Sequence, residues 1–242
     1  MSILILAEHD GEQLSQNVLK ALTAAKAWNL PIHVLVAGNN ANKVAESAAL
    51  IDGVARVIQV SAAHFAHPLA EDIANLVVSV SADYSVILAT HSSFSRNSLP
   101  RVAALLDVAM ISDVLAINGN NTYVRAIYAG TILTTVQSVD AIQVLTIHGS
   151  KFSAASFGNT SAEIENVSAP SAFSQARWVS EVRSESDRPA LGSAKIVVSG
   201  GRSLGSAEKF EQLLSPLATK LGAALGATRA AEMQALRLTI FK

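Results

Sequence analysis

Short hydrophobic runs alternating with longer helical stripes constrain the fold of this chain more than any other feature. Ile3–Ala7 is apolar throughout, without the apolar–polar alternation of a half-exposed strand, and is expected to be a strand buried on both faces. Ile32–Val36, Arg56–Val60 and Tyr84–Ala89 are read as further strands. Between them, Leu14, Val18, Leu22 and Ala25 form one helical stripe, and a small helix is expected around Asn42–Leu50. Leu69, Ile73, Leu76, Val77 and Val80 form another stripe after His67-Pro68, which places proline in the first turn. One more helix is expected at Leu99–Leu106. Strands alternating with helices of this length specify an α/β fold, a parallel sheet flanked by helices.

The rhythm changes after Asp107. Val114–Ile117, Tyr123–Tyr128, Ile132–Gln137 and Ile142–Ile147 are separated by short turns, which suggests hairpin-like strands appended to the parallel sheet. Residues 149–174 are rich in Ser, Ala, Asn and Gly and read as a connector. Trp178, Val179 and Val182 suggest one more strand. The polar stretch Ser184–Gly192, with Pro189, is the expected domain boundary. A second β–α unit then begins. Lys195–Ser199 reads as a strand and Gly200-Gly201-Arg202 as a turn. Phe210, Leu213, Leu214, Leu217 and Leu221 form a helical stripe that Pro216 is expected to kink.

Composition removes several classes of function. The 242 residues carry a formal charge of −1, so no basic field points to nucleic acid. Residues 1–150 hold 7 Lys+Arg against 11 Asp+Glu, and residues 151–242 hold 11 against 8, giving −4 and +3. The second part is the better place for an anionic ligand. The absence of cysteine excludes disulfides, thiolate metal sites and Cys-ligated iron–sulfur clusters. No apolar run approaches the ~20 residues of a membrane span, and the N-terminus turns acidic at Glu8 and Asp10 rather than opening as a signal peptide. A soluble protein of a reducing compartment is expected.

Four segments bear on chemistry. A glycine pair after a buried strand lets backbone N–H groups approach a phosphate, a following helix adds its positive end, and Arg202 adds a guanidinium suited to paired oxygens. The alternative is an ordinary tight turn with a solvated arginine. Ala227-Thr228-Arg229-Ala230-Ala231 reads by composition as a helix edge. Leu106-Asp107 and Ser112-Asp113 read as helix or strand ends, and the six histidines show no metal-ligand spacing.

Longer segments carry a resemblance. The N-terminal Ile-Leu-Ile-Leu-Ala-Glu-His, Asn97-Ser98-Leu99-Pro100-Arg101-Val102-Ala103-Ala104-Leu105-Leu106-Asp107-Val108-Ala109 and Ile111-Ser112-Asp113 are similar to the electron transfer flavoprotein alpha subunit family. So are Arg125-Ala126-Ile127-Tyr128-Ala129-Gly130 and Thr146-Ile147-His148-Gly149-Ser150. Asp187-Arg188-Pro189, Val197-Val198-Ser199-Gly200-Gly201-Arg202 and the block Leu221–Ala231 resemble the start of its flavin domain. Glu232–Lys242 resembles none of the glycine-rich turn and Gln-His segment that follow in the family, so the flavin domain is expected to be incomplete.

The resemblance implies domain I with its connector over residues 1–187, of nucleotide-binding type but holding no nucleotide. It implies the start of a Rossmann-like FAD domain II over residues 188–242. It further implies a heterodimer with a beta subunit that itself holds AMP. Electrons would pass from acyl-CoA-type dehydrogenases, through FAD, towards a quinone oxidoreductase. Arg202, Thr228 and Arg229 are the positions that match family FAD contacts. Arg202 would face the cofactor's anionic part. Arg229 would lie beside the ring system, where a positive charge raises its potential, and Thr228 could donate a hydrogen bond to the ring. FAD is expected to be held weakly or not at all by this chain alone. A bacterial cytoplasmic location is expected, or the mitochondrial matrix in a eukaryote, although no transit peptide is present. The competing readings are a free-standing nucleotide-binding regulatory module, using the loops at Gly38-Asn39-Asn40 and Thr90-His91-Ser92-Ser93, and a nonfunctional remnant.

Overall fold

In the first strand, β1 (Ser2–Leu6), Ile3 and Ile5 enter one hydrophobic cluster while Leu4 and Leu6 enter another on the opposite face. That division is the reason the strand is apolar at every position. A computed structural model describes residues 1–181, 188–189, 191 and 194–231. They fall into two compact units, Met1–Val179 and Ser180–Lys242.

In the first unit, β1 leads into α1 (Gln16–Ala25), β2 (Ile32–Gly38), α2 (Asn42–Ala49) and β3 (Val54–Ser61). Then come α3 (Ala70–Val80), β4 (Tyr84–Thr90), α4 (Ser93–Leu105), β5 (Met110–Ile117), β6 (Thr122–Ile127), β7 (Ile132–Gln137), β8 (Gln143–Ile147) and β9 (Glu163–Asn166). These strands form one sheet ordered β7-β6-β5-β8-β4-β1-β2-β3-β9. β6 pairs antiparallel with both β5 and β7, and every other neighbouring pair is parallel. The helices α1 and α2 cover the face of Ile3 and Ile5, and α3 and α4 cover the face of Leu4 and Leu6. The architecture is therefore the α/β, helix-flanked parallel sheet that the sequence implies.

Several local expectations need correction. The segment read as a fourth appended strand, Ile142–Ile147, does not continue the hairpins. As β8 it returns into the sheet between β4 and β5 and runs parallel to both. Thr146 of this strand is fully buried, and its hydroxyl is satisfied there by His91 Nδ1 at 2.9 Å and by the Asp113 N–H, from which it accepts at 3.0 Å. The connector contains edge strand β9, which pairs with β3 and carries the Arg56–Glu165 ion pair at 2.9 Å. Its Glu-Ile-Glu-Asn sequence lacks the bulk that signals a strand, and its charges suit an edge. Trp178 and Val179 form no strand. Trp178 stacks instead on His67, with ring centroids 3.8 Å apart and planes 5° from parallel, and Val182 lies outside the described residues. α4 begins at Ser93 rather than Leu99, since Ser92 and Ser95 cap it reciprocally. Pro68 precedes the N-cap Leu69 of α3 instead of lying in its first turn.

In the second unit, β10 (Val197–Gly200) and β11 (Ala224–Ala227) pair in parallel and flank α5 (Ala207–Leu221) in the chain. The strand starts two residues later than Lys195. The helix continues through Pro216 to an αL cap at Gly222, φ 59°. Among the described residues, no helix is long and apolar enough to cross a membrane.

Candidate functional site

Parallel pairing sets Val197, Val198, Ser199 and Gly200 beside Ala224, Leu225, Gly226 and Ala227 in register. The carboxyl ends of β10 and β11 therefore lie side by side, the place where α/β sheets present ligand-binding residues. Gly201 and Arg202 leave one strand there, and Thr228 and Arg229 leave the other. The Thr228 N–H donates to the Gly200 carbonyl at 3.1 Å and ties the two segments together. A Cβ built on Gly201 would meet Thr228 Oγ1 at 3.7 Å and Cγ2 at 3.8 Å, so Thr228 flanks Gly201 directly. The structure thus brings together two segments that lie 26 positions apart in the chain and that composition alone does not link.

The two glycines do different things. A Cβ on Gly200 would lie 2.5 Å from Leu204 Cδ1, 2.7 Å from Leu214 Cδ1 and 3.0 Å from Phe210 Cε2. Gly200 lets the helix side chains close down on the strand, while at Gly201 the backbone stays open for close approach. The helix does not follow the glycine pair directly. Arg202–Leu204 forms a single 3₁₀ turn, Gly205 takes φ 84°, and Ser206 caps α5 by accepting from the Lys209 N–H at 3.2 Å. Arg202, Thr228 and Arg229 are exposed, and among the described residues none of their side chains forms a hydrogen bond or ion pair. Two unengaged guanidinium groups, a hydroxyl and an unobstructed glycine are a donor set suited to an anionic cofactor such as FAD.

The first unit holds a second polar cluster that spacing conceals. Asp113, read from the sequence as a strand end, sits in a bulge of β5 at φ 58°, and its carboxylate meets His148 Nδ1 at 2.8 Å. Thr146 links the Asp113 backbone to His91, and Arg125 Nη2 donates to Ser112 Oγ at 3.0 Å. The sequence reading starts this strand at Val114, and nothing in the spacing links Asp113 to His148, so the cluster carried no sequence signal.

Comparison with known proteins follows the same division. A family described as electron transfer flavoprotein domain matches residues 3–172, and one described as electron transfer flavoprotein FAD-binding domain matches residues 190–237. The second match extends six residues past Ala231, into the segment Glu232–Lys242. The chain is 45% identical to the electron transfer flavoprotein subunit alpha of Pseudomonas aeruginosa, over 96% of its own length and 74% of the relative's. It is 46% identical to that of Bradyrhizobium diazoefficiens, over 96% and 73%. It is 40% identical to a probable mitochondrial subunit alpha of Caenorhabditis elegans, over 95% and 70%. With FAD as the family's cofactor, this chain belongs to the electron transfer flavoprotein alpha subunits.

Proposed function

We propose that the chain works as the alpha partner of a heterodimeric electron carrier and that Arg202, Thr228 and Arg229 contact its FAD. The observation that carries this reading is the side-by-side placement of Gly201-Arg202 and Thr228-Arg229 at one end of the β10–β11 pair. When bound, FAD supplies the redox chemistry. The residues of this chain bind and orient it. The guanidinium groups neutralise the cofactor's negative charge, Thr228 offers an O–H donor, and Gly201 permits backbone approach. The same reading divides the chain into domain I with its connector, residues 1–187, and a flavin domain, residues 188–242. It is supported by the unit division after Val179 and by family matches that end at 172 and resume at 190.

The proposed partners are a beta subunit, dehydrogenases of the acyl-CoA type that deliver electrons, and a quinone oxidoreductase that accepts them. We place the protein in the bacterial cytoplasm, a reading supported by its similarity to bacterial subunits. Coexpression with a beta subunit, purification and titration with FAD test the proposal. A stable complex is expected, and Arg202→Ala and Arg229→Ala should each weaken FAD binding about tenfold or more, the worth of a charge-assisted contact. Unchanged binding in both variants would remove these residues from the site, and a chain that stays monomeric beside the beta subunit would remove the heterodimer.

A further inference from the structure

We propose that a cavity in the first unit, between the start of α4 and β5, binds a small ligand through a phosphate or carboxylate group. The cavity measures about 340 Å³ and is lined by His91, Arg96, Pro100, Met110 and Ser112. It opens just past the carboxyl end of β4, in the Thr90-His91-Ser92-Ser93 loop, and the assigned flavin chemistry makes no use of it. Its charge balance is the first argument. Arg96 has no carboxylate partner among the described residues. Arg125, which supports Ser112, has none either, and its Nε is buried without any hydrogen bond. The carboxylate of Asp113, next to Ser112, is already engaged by His148 at 2.8 Å. Arg125 is half-buried, and a guanidinium held partly out of water without a counter-charge is costly, while the exposed Arg96 lines the cavity and supplies a second charge for an oxyanion.

The second argument is donor chemistry. Thr146 is fully buried, so its hydroxyl proton needs an acceptor, and His91 Nδ1 lies 2.9 Å away. Donation from Thr146 to Nδ1 leaves the proton of the neutral imidazole on Nε2, which makes His91 a hydrogen-bond donor. Burial also lowers the pKa of His91, so it meets a ligand as a neutral donor at pH 7. Ser112 adds a hydroxyl and Arg96 a guanidinium charge. Pro100 and Met110 add apolar wall for a short organic body attached to the anionic group. Three kinds of donor beside an apolar wall form a ligand site, whereas a solvated surface groove needs none of them.

Isothermal titration of the full chain with sodium phosphate, and separately with sodium succinate, at neutral pH and constant ionic strength tests the inference. Carrying Arg202→Ala and Arg229→Ala as a background removes anion binding at the flavin residues, so the outcome does not depend on the reading of that site. One saturable site is expected, with a dissociation constant on the order of 1 mM. Arg96→Ala should weaken it about tenfold or more. Arg96→Gln replaces that variant if the alanine form does not fold. Response to phosphate alone identifies a phosphoryl ligand, and response to succinate alone a carboxylate ligand. No saturable heat with either anion, or equal binding after loss of Arg96, overturns the inference.

Discussion

A methyl group at Gly200 would press against the ends of Leu204, Leu214 and Phe210, whereas one at Gly201 would meet only Thr228 at ordinary contact distance. Adjacent glycines therefore differ in their surroundings, Gly200 being closed in by side chains and Gly201 open beside Thr228. Gly200→Ala should destabilise the second unit by about 1–3 kcal/mol through overpacking, softened where the leucine ends can turn away. Gly201→Ala, at φ −112°, should leave folding intact and weaken FAD binding in the heterodimer. Urea denaturation monitored on the second unit, paired with FAD titration, separates the two. If Gly201→Ala unfolds the unit as readily as Gly200→Ala, the division of roles is wrong.

Among the elements, α4 owes its start to two serines. Ser92 accepts from the Ser95 N–H at 3.2 Å, and Ser95 Oγ in turn accepts from the Ser92 N–H at 3.1 Å. Ser92→Ala should cost about 0.5–2 kcal/mol in chemical denaturation, the usual worth of a cap. The elements also impose a pH range. His9 is fixed as a neutral tautomer, with Nδ1 accepting from the Gly11 N–H at 3.1 Å and the other nitrogen donating to the Ala37 carbonyl at 2.9 Å. Burial lowers the pKa of His9, His33 and His91 below the ordinary 6.5. A depressed histidine pKa means that the folded state resists protonation. Their contribution is complete above 6.5 and falls away as the pH drops below that value. Burial raises Tyr84 and Tyr123 from 10.0 to about 12. Their contribution is complete below 10.0 and is lost as the pH climbs through 12. Urea midpoints across a pH series should give a plateau bounded by those two declines. A midpoint that holds steady on acidification from 7 to 5 would contradict the histidine assignment.

For the molecule as a whole, the two units differ in how well each is closed. The first has a nine-stranded sheet whose central strands are covered on both faces, and the second has two described strands and one helix. Leu213, Leu217 and Leu221 of α5 are 61%, 47% and 47% exposed, so three of the five stripe residues are only partly covered. The relatives exceed this chain by about a quarter of their length. Binding must offset several kcal/mol of lost freedom, and a small open unit is poorly organised to do so. The polypeptide of residues 1–242, purified alone, should therefore fail to retain FAD through desalting after incubation with excess cofactor. A visible spectrum showing stoichiometric bound flavin would refute this.

Much of the first unit was legible because burial on both faces leaves a simple mark. β1, β2 and β4 are hydrophobic runs, and α1 and α3 are stripes at helical spacing, so local chemistry and global placement agree. The Gly200-Gly201 pair was legible as the end of a strand, although β10 is exposed to half-buried rather than buried as the sequence suggests. What tertiary structure decided were pairings between distant segments. Strand β8 entered the middle of the sheet because Thr146 found two polar partners, and β9 became a strand because the edge of β3 was open to it. Thr228 came to flank Gly201, and His148 to meet Asp113, only through strand register. Sequence by itself determined which segments must be buried and in what local form. Which of them would be neighbours depended on hydrogen bonds between residues tens of positions apart, whose partners no local pattern encodes.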